Sequence, residues 1–167
     1  MNAQRFKDIP GALLHPVPIA VYQPALRRIA RFIAEKHPDL FARLGDDVHK
    51  AFLINPTNMP FVLLLEPDPD FVSLEAYRSA EGLDYDASIT GSFLNLLRMI
   101  DVDLDGDALF FSRDLKIEGD TEAIVRLRNA MDDIEGSVAG DVASMFGPLG
   151  RGVLASLRRL GEDRHAV

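Results

Sequence analysis

Tyr22, Leu26, Ile29 and Ile33 recur at intervals of three and four residues, with Arg27, Arg28, Arg31 and Glu35 between them. That spacing predicts an amphipathic helix with a basic face. It should end near Lys36-His37-Pro38, with Pro38 opening a short second helix that Gly45 stops. From Asp46 the period shortens. His49 to Asn55, Phe61 to Glu66 and Phe71 to Tyr77 are apolar runs punctuated by Pro56, Pro67 and Pro69, and they read as strands. Tyr85, Ala87 and Ile89 alternate with Asp84, Asp86 and Ser88, as in a strand with one wet face. The simplest assembly of these strands is an antiparallel meander. Helical spacing returns in Ser92 to Ile100, through Phe93, Leu96, Leu97 and Ile100, with Thr90 as the expected cap. Ala108 to Ser112 and Leu115 to Glu118 read as one bent strand or two short ones. Asp120 or Thr121 then caps a helix striped by Ile124, Leu127, Met131 and Ile134. In the last segment Val142, Phe146, Leu149, Val153, Leu157 and Leu160 line one helical face, which Gly147-Pro148 divides in two. The order of elements predicts an α+β fold, with a small, mainly antiparallel sheet covered by helices.

Composition narrows this picture to one domain. The chain has 167 residues, 47% apolar and 26% charged, a globular mixture long enough to bury a core. Residues 1–45 read as a proline-rich apolar arm and helix, 46–135 as the core, and 136–167 as C-terminal amphipathic helices. The net charge of −8 argues against a nucleic-acid binder. It is unevenly spread: +3 over residues 1–46, −13 over 47–145 and +2 over 146–167. The absence of cysteine excludes disulfides, a thiolate nucleophile and Cys-ligated clusters held by this chain alone, and fits a cytoplasmic protein. The longest uncharged run, Ile9 to Leu26, is interrupted by Pro10, Pro16, Pro18 and Pro24, which argues against a membrane span. The same broken run lacks a convincing cleavage site for a secretory signal.

Motifs for catalysis are weak. Asp101-x-Asp103-x-Asp105-Gly106-Asp107 matches half of an EF-hand loop, but Ser112 stands where a bidentate Glu belongs, so a solvated turn is the better reading. His15, His37, His49 and His165 are scattered, with no pair at metal-binding spacing, and no metal or cofactor is expected. No Gly-x-Ser-x-Gly elbow and no phosphate loop is present. The glycines around Gly147-Pro148-Leu149-Gly150-Arg151-Gly152 read as a hinge before an anion site, and Asp132-Asp133 as a helix's wet face. What remains is a surplus of Phe, Met and Leu on helices around a small sheet, which permits an apolar cavity as well as a plain core.

The stretch from Ile89 to Glu135, above all Thr90-Gly91-Ser92-Phe93 and Asp107-Ala108-Leu109-Phe110-Phe111-Ser112-Arg113-Asp114-Leu115-Lys116-Ile117-Glu118-Gly119-Asp120-Thr121-Glu122, resembles the bacterial sterol carrier protein type 2 domain. More narrowly it is similar to the UbiT family, accessory factors of oxygen-independent ubiquinone biosynthesis. The resemblance implies about five strands and flanking helices around a lipid cavity, without catalysis. It implies a quinone intermediate or phospholipid as ligand, and a hydroxylase of the UbiU–UbiV type as partner. Apolar spacing nominates Phe93, Leu97, Ile100, Phe110, Met131, Phe146 and Leu149 as lining, and Arg27, Arg28 and Arg31 for transient contact with an anionic membrane. A homodimer is compatible with the C-terminal helices. The alternatives are a general lipid or sterol carrier, a small enzyme using a buried carboxylate on a hydrophobic substrate, and a structural adaptor.

Overall fold

The computed structural model describes residues 17–101, 113–134 and 137–162. Phe110, the run from Asp103 to Asp107, the first sixteen residues, His165 and the expected strand at Ala108 to Ser112 lie outside them. Helix α1 spans Ile19–Lys36 and begins at Pro18, so only Pro24 lies inside it. Its end is set by His37, pushed out of helical geometry by the following Pro38 while its N–H still reaches Ile33 O at 2.9 Å. Helix α2, Asp39–Leu44, runs into a 3-10 turn at Gly45–His49. His49 therefore lies outside the first strand.

Five strands follow the helical start: β1 Phe52–Pro56, β2 Val62–Glu66, β3 Ser73–Tyr77, β4 Ala87–Gly91 and, later, β5 Lys116–Gly119. Their spatial order is β3-β2-β1-β4-β5. The hairpins β1–β2 and β2–β3 and the pair β4–β5 are antiparallel, but β4 returns to lie parallel to β1. The expected meander is thus corrected to a mixed sheet. Asp86 fixes the return: its N–H donates to Ala51 O at 2.9 Å, and its Oδ2 accepts from Ala51 N at 2.8 Å. Its carbonyl also receives Asp120 N from the end of β5, at 2.9 Å. Gly119 makes that approach possible. It sits at φ +79, and a Cβ there would stand 2.4 Å from Asp86 O.

Helix α3 is Phe93–Ile100 and α4 is Thr121–Asp132. Ser92, not Thr90, caps α3, because Thr90 is still paired in β4. Asn58, from the β1–β2 turn, accepts the Phe93 N–H at 2.8 Å and anchors the start of α3 to the sheet. Of the two caps expected for α4, Asp120 takes the role, accepting Ala123 N at 3.0 Å. Helices α5, Val138–Met145, and α6, Gly147–Glu162, are divided where Gly147 adopts φ +64. The two pack so closely that a Cβ on Gly150 would meet Ala143 O at 2.2 Å.

By register, Phe52, Ile54, Leu65, Ala87, Ile89 and Ile117 share one sheet face. They pack with Leu40, Leu44, Leu96, Met99, Ile124 and Leu127 from α2, α3 and α4 in the main core. Each such side chain fully withdrawn from water contributes about 1.5–3 kcal/mol. The other face is buried too. Leu53 and Leu64 lie on it, and Ser88, expected to be wet, is only 4% exposed. At one residue of the β3 edge a side chain supplies the partner: Gln23 of α1 donates to Ala76 O at 2.8 Å and accepts Ala76 N at 3.1 Å.

Candidate functional site

Two apolar clusters meet at α3. The main core includes Leu96 and Met99 of this helix, whereas Leu97 packs against a separate group made by Ala139, Ala143 and Leu154 of α5 and α6. Phe93, Leu97 and Ile100 recur at intervals of four and three, so they form one stripe along α3, and all three are half-buried. Ile100 and Met131 of α4 lie against the main core. Of the expected lining residues, Leu97 thus packs against the second cluster, Ile100 and Met131 against the main core, and Phe93 shares the α3 stripe. Phe146 and Leu149 are elsewhere in character: they stand at the α5–α6 junction and are 51% and 77% exposed.

The seam is tied by a carboxylate. Asp101, which ends α3, is 2% exposed and accepts two bonds from Arg158 of α6, at 2.7 and 2.8 Å, and one from Ser137 Oγ at 2.9 Å. Ser137 Oγ in turn caps α5 by accepting Gly140 N at 3.1 Å. Three helices therefore converge on one buried anion. The sequence places Asp101 at the start of a solvated turn, whereas the fold buries it, and Arg158 lies 57 residues further along the chain. Both are structural partners instead, a role that no local motif announces.

A second polar cluster holds the base of α4. Buried Asp47 accepts from Arg126 and sits 2.7 Å from Lys50 Nζ, which also reaches Asp120 at 2.5 Å. The Arg126 bond holds the Asp47 carboxyl below the usual range, against the opposing effect of burial. Lys50, between two carboxylates, is raised, chiefly by Asp120 and then by Asp47. On α5, Asp141 takes Lys36 and His37 from the end of α1, the latter at 2.7 Å; these bonds lower its pKa although burial alone would raise it. These charges are spent on joining elements. Among the described residues, no group of three or more histidines and carboxylates is placed to hold a metal ion. No described helix is long and apolar enough to cross a membrane.

Of the three predicted membrane-contact residues, Arg27 is exposed but pairs with Glu75 at 3.3 Å, and Arg28 and Arg31 are exposed on the same helix.

A small mixed sheet with helices over an apolar core defines a compact α+β domain. The chain belongs to the SCP-2 sterol transfer family, which matches residues 28–132. Among solved structures, a UbiJ-SCP2 ubiquinone synthesis protein is similar at 16% identity and TM-score 0.49, over 70% of this chain and 90% of the other. The apo sterol carrier protein 2 of Yarrowia lipolytica follows at 11% and 0.46, over 68% and 88%. The sterol carrier protein domain 2 of Helicoverpa armigera stands at 17% and 0.43, over 69% and 89%. No curated protein matches the sequence.

Proposed function

We propose that the protein is a non-catalytic lipid carrier that holds an apolar chain along the α3 seam. The observation that carries this reading is the half-buried stripe Phe93, Leu97 and Ile100 between two apolar clusters, in a chain of the SCP-2 sterol transfer family. A polyprenyl or acyl chain in water costs about 25 cal/mol per Å² of apolar surface, so a carrier must offer it comparable apolar contact. A helix shared by two clusters can supply that contact by letting them part slightly. Met131, unbranched and adaptable, suits the margin of such a site.

The finer reading comes from the residues between Ile89 and Glu135, with their likeness to the UbiT family. On that basis the cargo is a polyprenylated quinone intermediate or a phospholipid, and the protein presents it to a hydroxylase of the UbiU–UbiV type in oxygen-independent ubiquinone biosynthesis. Loading takes place at a membrane surface, where Arg27, Arg28 and Arg31 contribute attraction to anionic lipid.

Organic extraction of the purified protein, followed by mass spectrometry, tests this. The expected result is stoichiometric phospholipid or quinone. An empty protein that also takes up neither from micelles would overturn the carrier reading, and a bound sterol or fatty acid would replace the quinone assignment.

A further inference from the structure

Four connections meet at one end of the sheet. By the register, they are the 3-10 turn leading into β1, the β2–β3 connection, the residues entering β4 and the step from β5 into α4. These stretches, residues 45–51, 66–72, 84–86 and 119–122, hold nine carboxylates against one lysine, a net −8 that equals the charge of the entire chain. The rest of the chain sums to zero. Nearby cations answer only part of this excess. Lys50 and Arg126 take Asp47, Asp120 and Glu122, and His49 takes Asp68 at 3.1 Å, whereas Asp46, Asp70 and Asp84 stay exposed. Two aromatic side chains stand out from the same end. Phe71, two residues before β3, is 82% exposed, and Tyr85, two residues before β4, is 39% exposed. With β2 and β1 between their strands, at about 4.8 Å per strand step, they lie roughly 14 Å apart across the sheet, inside the footprint of a standard protein interface. Phe71 is held out on a fixed turn. Its N–H donates to Asp68 O at 3.1 Å, Asp70 N–H donates to Asp68 Oδ1 at 2.9 Å, and the same Asp68 is tied to His49 of the 3-10 turn. A partner meeting it therefore has little ordering entropy to overcome.

We infer that this end of the sheet is a docking surface for a protein that presents a cationic patch around an apolar recess, the patch answering the carboxylates and the recess taking Phe71. Charge selects among the occupants. An anionic bilayer or a nucleic acid is repelled by the local excess of carboxylates. A second copy offering the same end carries the same charge, and one offering Arg27, Arg28 and Arg31 would make a head-to-tail contact, which builds rings or open chains. Among the described residues no group of three or more histidines and carboxylates converges to hold a metal ion. The surface is separate from the α3 stripe, whose first residue, Phe93, is anchored to the β1–β2 turn at the opposite end of the sheet.

Photocrosslinking in the cells that make the protein tests this, with benzoylphenylalanine placed in the full chain at Phe71 or Tyr85 and, as exposed controls, at Val21 or Leu149. One and the same protein should be captured from positions 71 and 85 and not from the controls. Identified and purified, that protein should bind the wild-type chain with an affinity that falls roughly tenfold or more between about 0.1 and 0.5 M salt. Asp70→Asn combined with Asp84→Asn, both at exposed sites, should weaken the complex by a similar factor, chiefly by slowing association. Phe71→Ser combined with Tyr85→Ser leaves the charge unchanged, so it should weaken the complex roughly tenfold while leaving the binding of poly-lysine intact. No protein shared by positions 71 and 85, equal capture from position 21 or 149, or a complex indifferent to either double variant would each overturn the proposal. So would adducts between copies of this chain alone, which would make the acidic end a self-assembly contact.

Discussion

Asp47 is one of the side chains that set the acid limit of this domain. Its carboxylate is buried in the 3-10 turn, with Arg126 and Lys50 as partners, and its pKa is depressed chiefly by the Arg126 bond. Asp68, Asp120 and Asp141 are lowered too, the first by backbone and His49 bonds, the second by Lys50 and the third by Lys36 and His37. A carboxylate whose folded pKa lies below its unfolded value of about 3.9 contributes stability that is complete above that pH. The contribution is lost as the pH falls through the folded value. Thermal midpoints should therefore decline below about pH 4 as these groups are protonated. Asp47→Asn should lower the midpoint at neutral pH by a few degrees, roughly 2–4 °C for each kcal/mol lost, and should flatten the acid decline. Scanning calorimetry at several pH values checks this, and parallel pH profiles for the two proteins would refute it. At this scale the sequence was legible where the chemistry is local. The position before an apolar stripe marks Asp120 or Thr121 as the cap, of which Asp120 takes the role, and Pro148 marks a break at Gly147. Gln23 was not legible, because its partner Ala76 is 53 residues away and belongs to another element.

Elements were read more surely than their partners. Periodicity located α1, α3, α4 and the C-terminal helices, and apolar runs located the strands to within a few residues. Pairing escaped it. The parallel return of β4 to β1 depends on Asp86 meeting Ala51, a contact that strand composition does not encode. The wet face expected for β4 failed for a related reason: Ser88 is small and polar, yet the sheet is buried on both faces. The junction of α3, α5 and α6 gives the clearest test at this scale. Asp101→Ala leaves Arg158 without its two charge-assisted bonds and Ser137 without its acceptor, a loss of ~3 kcal/mol for a buried ion pair, less where Arg158 reaches solvent. Because α6 joins the rest mainly through α5, Leu97 and this carboxylate, the loss should be local. Hydrogen exchange should quicken across Val138 to Glu162 and stay slow in β1, β2 and β4. Uniform acceleration throughout the chain would show that the junction is part of one cooperative core.

For the whole molecule, the uneven charge and the divided core belong to one account. An acidic body holds the sheet and α4, a basic apolar-striped helix lies at one end of the chain, and a seam runs between the main core and the α5–α6 pair. The family was legible in the residues from Ile89 to Glu135, and the match across 28–132 bears out the sterol carrier resemblance. The individual lining residues were harder, because apolar spacing marks a helix face without saying what covers it. Phe93, Leu97, Ile100 and Met131 are partly withdrawn from water, whereas Phe146 and Leu149, drawn from the same pattern, face outward. The central claim is that an apolar chain lies along α3. A phospholipid or polyprenyl quinone carrying a photoreactive group midway along its tail, irradiated with the protein and mapped by peptide mass spectrometry, addresses it most directly. Labelling centred on Phe93, Leu97, Ile100 and Met131 is the predicted result. Labelling confined to Leu149, Val153 and Leu160, or absent from α3 altogether, would contradict it.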